Sequence, residues 1–243
     1  MAESLKSTNV TRRSFLGTVG TGVAAITTIA GALASDANAE LVYKDHAAWK
    51  FAEFDKLLKF KGRGKQMYDV HPIGDGDFLS VIKNSLNGLH FGYEIPADQI
   101  KIVAAMHGAS NAINFDDSMW EKYKIGEWLK IVDPKTDKPA TRNIFYPKRN
   151  PTGGTNPSDR SSIYQDYGIE ALIPRGLQLL GCHNATENQA GTLIKRNGLT
   201  ATIEEVVEDL QSHSLPGVLY VPAMVAAIHM LQAEGKYSYI MAP

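Results

Sequence analysis

Ile100-Lys101-Ile102-Val103-Ala104-Ala105-Met106 reads as a β-strand, a short apolar run cut off by His107-Gly108. Outward from it the pattern alternates. Upstream, Gln66–Ile73 is an expected strand closed by the turn residues Gly74-Asp75-Gly76-Asp77. Asp77 is placed to cap a helix reaching Gly92, with Phe78, Val81, Ile82, Leu86 and Leu89 on one face. Downstream, Asp116–Ile131 has helical spacing through Met119, Trp120, Tyr123, Trp128 and Leu129. Leu177-Gln178-Leu179-Leu180-Gly181 is a second apolar strand, ended by Cys182-His183-Asn184. Helical patterns follow at 185–196 and 202–213, the latter opened by the capping box Thr202-x-x-Glu205. Gly217–Val221 is a strand, Pro222–Glu234 a helix with Pro222 in its first turn, and Tyr237–Met241 a last strand. Strand–helix alternation implies an α/β fold, a mostly parallel sheet with helices on both faces.

Two segments stand outside that rhythm. Residues 133–158 carry Pro134, Pro139, Pro147, Pro151, Pro157 and Gly153-Gly154 without periodicity, an insertion of the kind that is functional or flexible. A helix is expected beyond it, near Ser158–Leu172. Residues 44–60 read as a helix within an N-terminal arm, 40–65, with Trp49, Phe54, Leu57 and Leu58 at helical spacing. Such an arm packs on its own domain or on a neighbouring subunit, or its basic flank (Lys56, Lys59, Lys61, Arg63, Lys65) seeks a surface.

At the other extreme, Thr11-Arg12-Arg13-Ser14-Phe15-Leu16 sets two arginines before an apolar stretch ending at Ala37-Asn38-Ala39. Arg12 and Arg13, with Ala37 and Ala39 as the small residues of a cleavage site, resemble a twin-arginine (Tat) export signal. That resemblance implies passage through the Tat translocase, cleavage after Ala39 and a periplasmic product. An uncleaved anchor is the alternative, since about 20 apolar residues span a bilayer. Removal of residues 1–39 leaves 204 of 243, enough for one substantial core.

The cleaved chain would carry 22 basic and 24 acidic residues, a balance that points to neither nucleic acid nor an anionic membrane as partner. Cys182 is the single cysteine, so it is buried and inert, paired between chains, or reactive. One cysteine excludes a c-type haem and a multi-cysteine iron–sulfur or zinc site. No cofactor motif is present, and no H-x-x-x-H pair suggests a metal.

Several segments together resemble the DsrE/DsrF-like family. They are Asn84-x-x-Asn87, Val103-Ala104-Ala105-Met106-His107-Gly108, Leu179-Leu180-Gly181-Cys182-His183-Asn184-Ala185, and the tail from Val221-Pro222-Ala223-Met224 to Leu231-Gln232-Ala233-Glu234-Gly235-Lys236-Tyr237. In order and spacing they span most of 66–243, leaving the arm and the insertion unmatched. The resemblance implies a three-layer α/β sandwich, a homo-oligomer and, as in some branches, a cysteine that carries a persulfide. Apolar residues on the last helix (Met224, Val225, Ile228, Met230, Leu231) also suit an oligomer interface.

Ligands of open α/β sheets lie beyond the carboxyl ends of the strands. Two strands end there in reactive-capable groups, His107 and Cys182-His183, with Gly108 and Asn184 beside them for ligand contact. A thiol at a helix start is favoured as thiolate, and an imidazole nearby can accept its proton. Equally, a lone cysteine packs as a small apolar group, and a strand-end histidine bonds a local carbonyl. Two functions follow: sulfur handling through Cys182 assisted by His107 or His183, or non-enzymatic binding of a small ligand or partner by an oligomer.

Overall fold

The computed structural model describes Trp49 and residues 51–242. The export motif and cleavage site (Arg12, Arg13, Ala37, Ala39) lie outside the described residues. In chain order the elements are α1 (Phe51–Leu58), β1 (Gly64–Val70), α2 (Asp77–Asn87), β2 (Ile100–Met106), α3 (Asp117–Lys122) and α4 (Ile125–Leu129). A small hairpin, β3 (Val132–Asp133) and β4 (Lys138–Pro139), and the single turn α5 (Ile169–Leu172) follow. Then come β5 (Leu177–Cys182), α6 (His183–Asn197), α7 (Ile203–Ser212), β6 (Leu219–Val221), α8 (Met224–Ala233) and β7 (Ser238–Met241).

The main sheet has the order β6-β5-β2-β1-β7, and every pairing in it is parallel. Its central strands are apolar on both sides because both sides are covered. Tyr68, Val70, Ile102, Ala104, Met106 and Leu179 face a large core built with α2, α6 and α7. Met67, Val103, Ala105, Leu180 and Cys182 face a smaller one closed by α1 and α8. Phe54 and Leu57 of α1 are buried there, each burial stabilising by about 1.5–3 kcal/mol. The arm's helix therefore packs on its own chain. Among the described residues no helix is long and apolar enough to cross a membrane.

Several boundaries differ from expectation. Gly76, in the left-handed region, is the N-cap of α2, and Asp77 lies inside its first turn. The far end of that helix widens into a π-helical turn, Gly88–Gly92. The span Asp116–Ile131 breaks into α3 and α4 at Lys124, whose φ is 51°. Just past the break, Gly126 packs so closely on the Ala140 backbone that a Cβ there would collide with the Ala140 carbonyl oxygen. Asp116 caps α3 by accepting from the amides of Ser118 and Met119.

No helix runs from 158 to 172. Asp159, Ser162 and Asp166 accept from the amides of Ser161, Tyr164 and Gly168, offering the backbone local partners that compete with helical bonds. The capping box of Thr202 and Glu205 is formed as expected. Pro222 precedes the N-cap of α8, Ala223, and its carbonyl accepts from the Asn184 amide at 3.3 Å.

The insertion is pinned from within. Arg142 donates twice to Asp133, at 2.7 and 3.0 Å. The buried Asn143 amide donates to the carbonyls of Ile113 and Phe115, both at 2.8 Å, fastening the insertion to the segment after β2. Asn87 and Arg175 bond each other at 2.5 Å, and both reach the Tyr164 carbonyl, so Asn87 secures this loop region to α2.

Candidate functional site

Register brings the strand ends together. Val70 pairs with Met106, and Met106 with Gly181. One residue further, His71, His107 and Cys182 follow at three adjacent strands, whose spacing is about 4.8 Å. This is the carboxyl edge of the sheet, where a βα fold leaves its ligand side open.

His107 has the most defined surroundings. Its Nε2 lies 2.6 Å from Asp69 Oδ1, and the Tyr239 hydroxyl donates to Asp69 Oδ2 at 2.6 Å. An ionised carboxylate can only accept, so beside the Asp69 carboxylate a neutral His107 carries its proton on Nε2. Its Nδ1 is then an acceptor, and no hydrogen bond engages that atom among the described residues. The hydrogen bond to Asp69, helped by slight burial and the carboxylate charge, holds the Tyr239 phenol above its ordinary pKa.

His71 stands against His107 edge to face, with ring centroids 5.0 Å apart. Gly108 makes the room: a Cβ there would sit 2.7–3.1 Å from three His71 ring atoms, and its φ of 59° is one that side chains disfavour. The Ser110 hydroxyl laces the two strand ends, donating to the carbonyls of Val70 and His107.

Cys182 is 6 % exposed and belongs to the smaller core with Phe54, Leu57 and Met224. Of the states that the sequence left open for this thiol, the fold selects the covered one. Its backbone is held by a buried polar network. The Cys182 amide donates to Asn111 Oδ1 at 2.9 Å, while Asn111 Nδ2 donates to Thr186 Oγ1 and Gln189 Oε1, each at 3.0 Å. Gln189 in turn donates to the Gly108 carbonyl at 2.7 Å, tying the start of α6 to the loop after His107.

His183, 2 % exposed, turns to other partners. Its Nδ1 meets Gln211 of α7 at 3.0 Å, its Nε2 lies 3.3 Å from Glu187 Oε1, and Trp49 packs edge-on at 5.1 Å. Among the described residues no hydrogen bond joins Cys182 to either His107 or His183. Asn184 is half-buried, and its backbone N–H donates to the Pro222 carbonyl.

The fold therefore gathers His107 and Gly108 with three residues that sequence reasoning passed over: Asp69, His71 and Tyr239. Asp69 carried a faint signal, an acidic residue one place before the end of a strand and set between buried Tyr68 and Val70. Tyr239 carried none. An open depression between α3 and α7, lined by Lys122, Tyr123, Ala201 and Asp209 among others, holds none of the sequence candidates. Among the described residues no three His, Cys, Asp or Glu side chains converge as a metal site. No family model matches the chain, and neither a curated protein nor a solved structure matches it.

Proposed function

We propose that this chain is an exported, DsrE-like small-ligand-binding protein whose site is the carboxyl edge of the sheet around His107. One observation carries the reading: His107 Nδ1 and the His71 ring, which make no hydrogen bond among the described residues, collect where Asp69 and Tyr239 hold His107 in one orientation. An imidazole fixed by a carboxylate is a pre-aimed acceptor for a ligand X–H group. Export by the Tat route, cleavage after Ala39, a periplasmic location and homo-oligomerisation belong to the same proposal. Of the α8 residues expected at an interface, Met224 and Leu231 are buried in the smaller core with Ile228 and Met230 packed against it, and Val225 is exposed.

Persulfide carriage by Cys182 is the second reading, favoured by its place one residue past the Met106–Gly181 pair and so beside His107 in register. Thiol chemistry decides between them. Purified protein, folded and then denatured, is alkylated, and its mass is measured after exposure to a sulfane-sulfur donor. The ligand-binding reading expects slow alkylation of the folded form and no added sulfur. Rapid native alkylation with a stable gain of one sulfur atom replaces it with the carrier reading.

A further inference from the structure

We propose that His71 and His107 together bind one divalent transition-metal ion at the carboxyl edge of the sheet, with Asp69 as the carboxylate behind His107. The inference shares its location with the ligand-binding reading and adds a ligand class to it.

Three observations point to the same place. First, Asp69 Oδ1 engages His107 Nε2 at 2.6 Å and leaves Nδ1 presented. Metal-binding histidines characteristically donate their second ring nitrogen to a carboxylate, which fixes the tautomer and raises the basicity of the ligating nitrogen. Tyr239 steadies that carboxylate through its other oxygen.

Second, the spacing fits. With metal–nitrogen bonds of about 2.0–2.1 Å and a ring centroid roughly 1.2 Å behind each nitrogen, two imidazoles on one ion stand about 4.5–5.3 Å apart. The His71 and His107 centroids are 5.0 Å apart with rings nearly perpendicular. Third, His71 is exposed and its ring makes no hydrogen bond among the described residues, so it is free to turn a nitrogen toward the ion. Gly108 keeps the wall beside it low.

Two imidazoles select zinc, copper or nickel over calcium and magnesium, which take oxygen ligands. Copper(II) binds such nitrogen pairs most tightly in the first-row order. Among the described residues no third side chain converges, so the remaining coordination positions are assigned to water or to a bound ligand. The site is then an open one rather than a closed structural centre.

The test titrates copper(II), and separately zinc, into chelator-stripped protein in a non-coordinating buffer, reading stoichiometry of both by calorimetry and nitrogen ligation of the copper by electron paramagnetic resonance. One ion per chain with two-imidazole coupling is expected, absent from the double variant His71→Ala/His107→Ala. Each single variant should weaken binding at least tenfold, and Asp69→Asn about 10–100-fold, the usual cost of losing such a carboxylate. His229→Ala, at an exposed position of α8, should change nothing. Equal stoichiometry and affinity in the wild type and the double variant overturn the site. His71→Gln is the second variant should either alanine disturb folding. The thiol experiment is run on the stripped protein, so failure of metal binding leaves the ligand-binding reading standing, and sulfur uptake by Cys182 leaves the metal site untouched.

Discussion

The Tyr239 hydroxyl donates to Asp69 Oδ2 at 2.6 Å, joining the edge strand β7 to β1 across 170 residues of chain. Asp69 uses its other oxygen on His107, so one carboxylate couples the C-terminal strand to the strand-end imidazole.

That bond predicts a late-titrating phenol. Tyr239 is raised by Asp69, so its contribution to stability is present below about pH 10 and is lost as pH climbs through the raised value. Because the residue is 39 % exposed, the stability effect is small. Asp69→Asn should move one tyrosine midpoint downward in an absorbance titration, the same midpoint that Tyr239→Phe deletes. A curve unchanged by Asp69→Asn would refute the coupling.

Alkaline unfolding should be cooperative. Burial pushes up the phenols of Tyr68, Tyr123, Tyr220 and Tyr237, with the Asp209 carboxylate adding to the effect at Tyr123. The unfolded chain ionises near pH 10 while the folded one resists, so stability falls as pH rises beyond that value. Tyrosinate absorbance and loss of circular dichroism should then appear together. Ionisation of all tyrosines with the fold intact would contradict this.

Asn111→Ala should be among the costlier polar substitutions. Asn111 is fully buried and bonds Thr186, Gln189 and the Cys182 amide. Its loss leaves buried groups without partners, about 2–3 kcal/mol in a denaturant titration. A loss below about 0.5 kcal/mol would mean that the network is not what holds Cys182.

Gly108→Ala should cost about 1–2 kcal/mol, the strain of a left-handed side chain. The added methyl must also displace the His71 ring. His71 imidazole resonances should shift in nuclear magnetic resonance spectra while those of His213 stay in place.

Asp133→Asn should loosen the insertion by about 1–3 kcal/mol, since Arg142 loses a charged, twofold acceptor. The Arg142 hydrogen bond, with the Lys135 amide, holds the Asp133 carboxyl below its usual range. Its stabilisation is therefore present above about pH 4 and is lost as pH falls through the depressed value. Limited proteolysis should cut within 133–158 faster in the variant and, in the wild type, faster at low pH. Equal cleavage rates would show that the insertion is held elsewhere.

What the sequence determined by itself was local. Apolar runs and their stops placed β2 at its observed bounds and β5 to within one residue, because a strand buried on both faces has no polar alternation to blur it. The Thr202–Glu205 box marked the start of α7 because its partners are three residues apart. The α/β class followed from alternation alone. Tertiary structure decided what distant segments do to each other. The order β6-β5-β2-β1-β7 places β7 beside β1, and only that neighbourhood lets Tyr239 reach Asp69. A helix whose own periodicity was continuous breaks at Lys124, and beyond the break Gly126 packs against the Ala140 backbone. The sequence left Cys182 buried or reactive, and tertiary structure decided it: α1 and α8 close over the face it shares with Leu180, because apolar surface on both sides of a parallel sheet is removed from water.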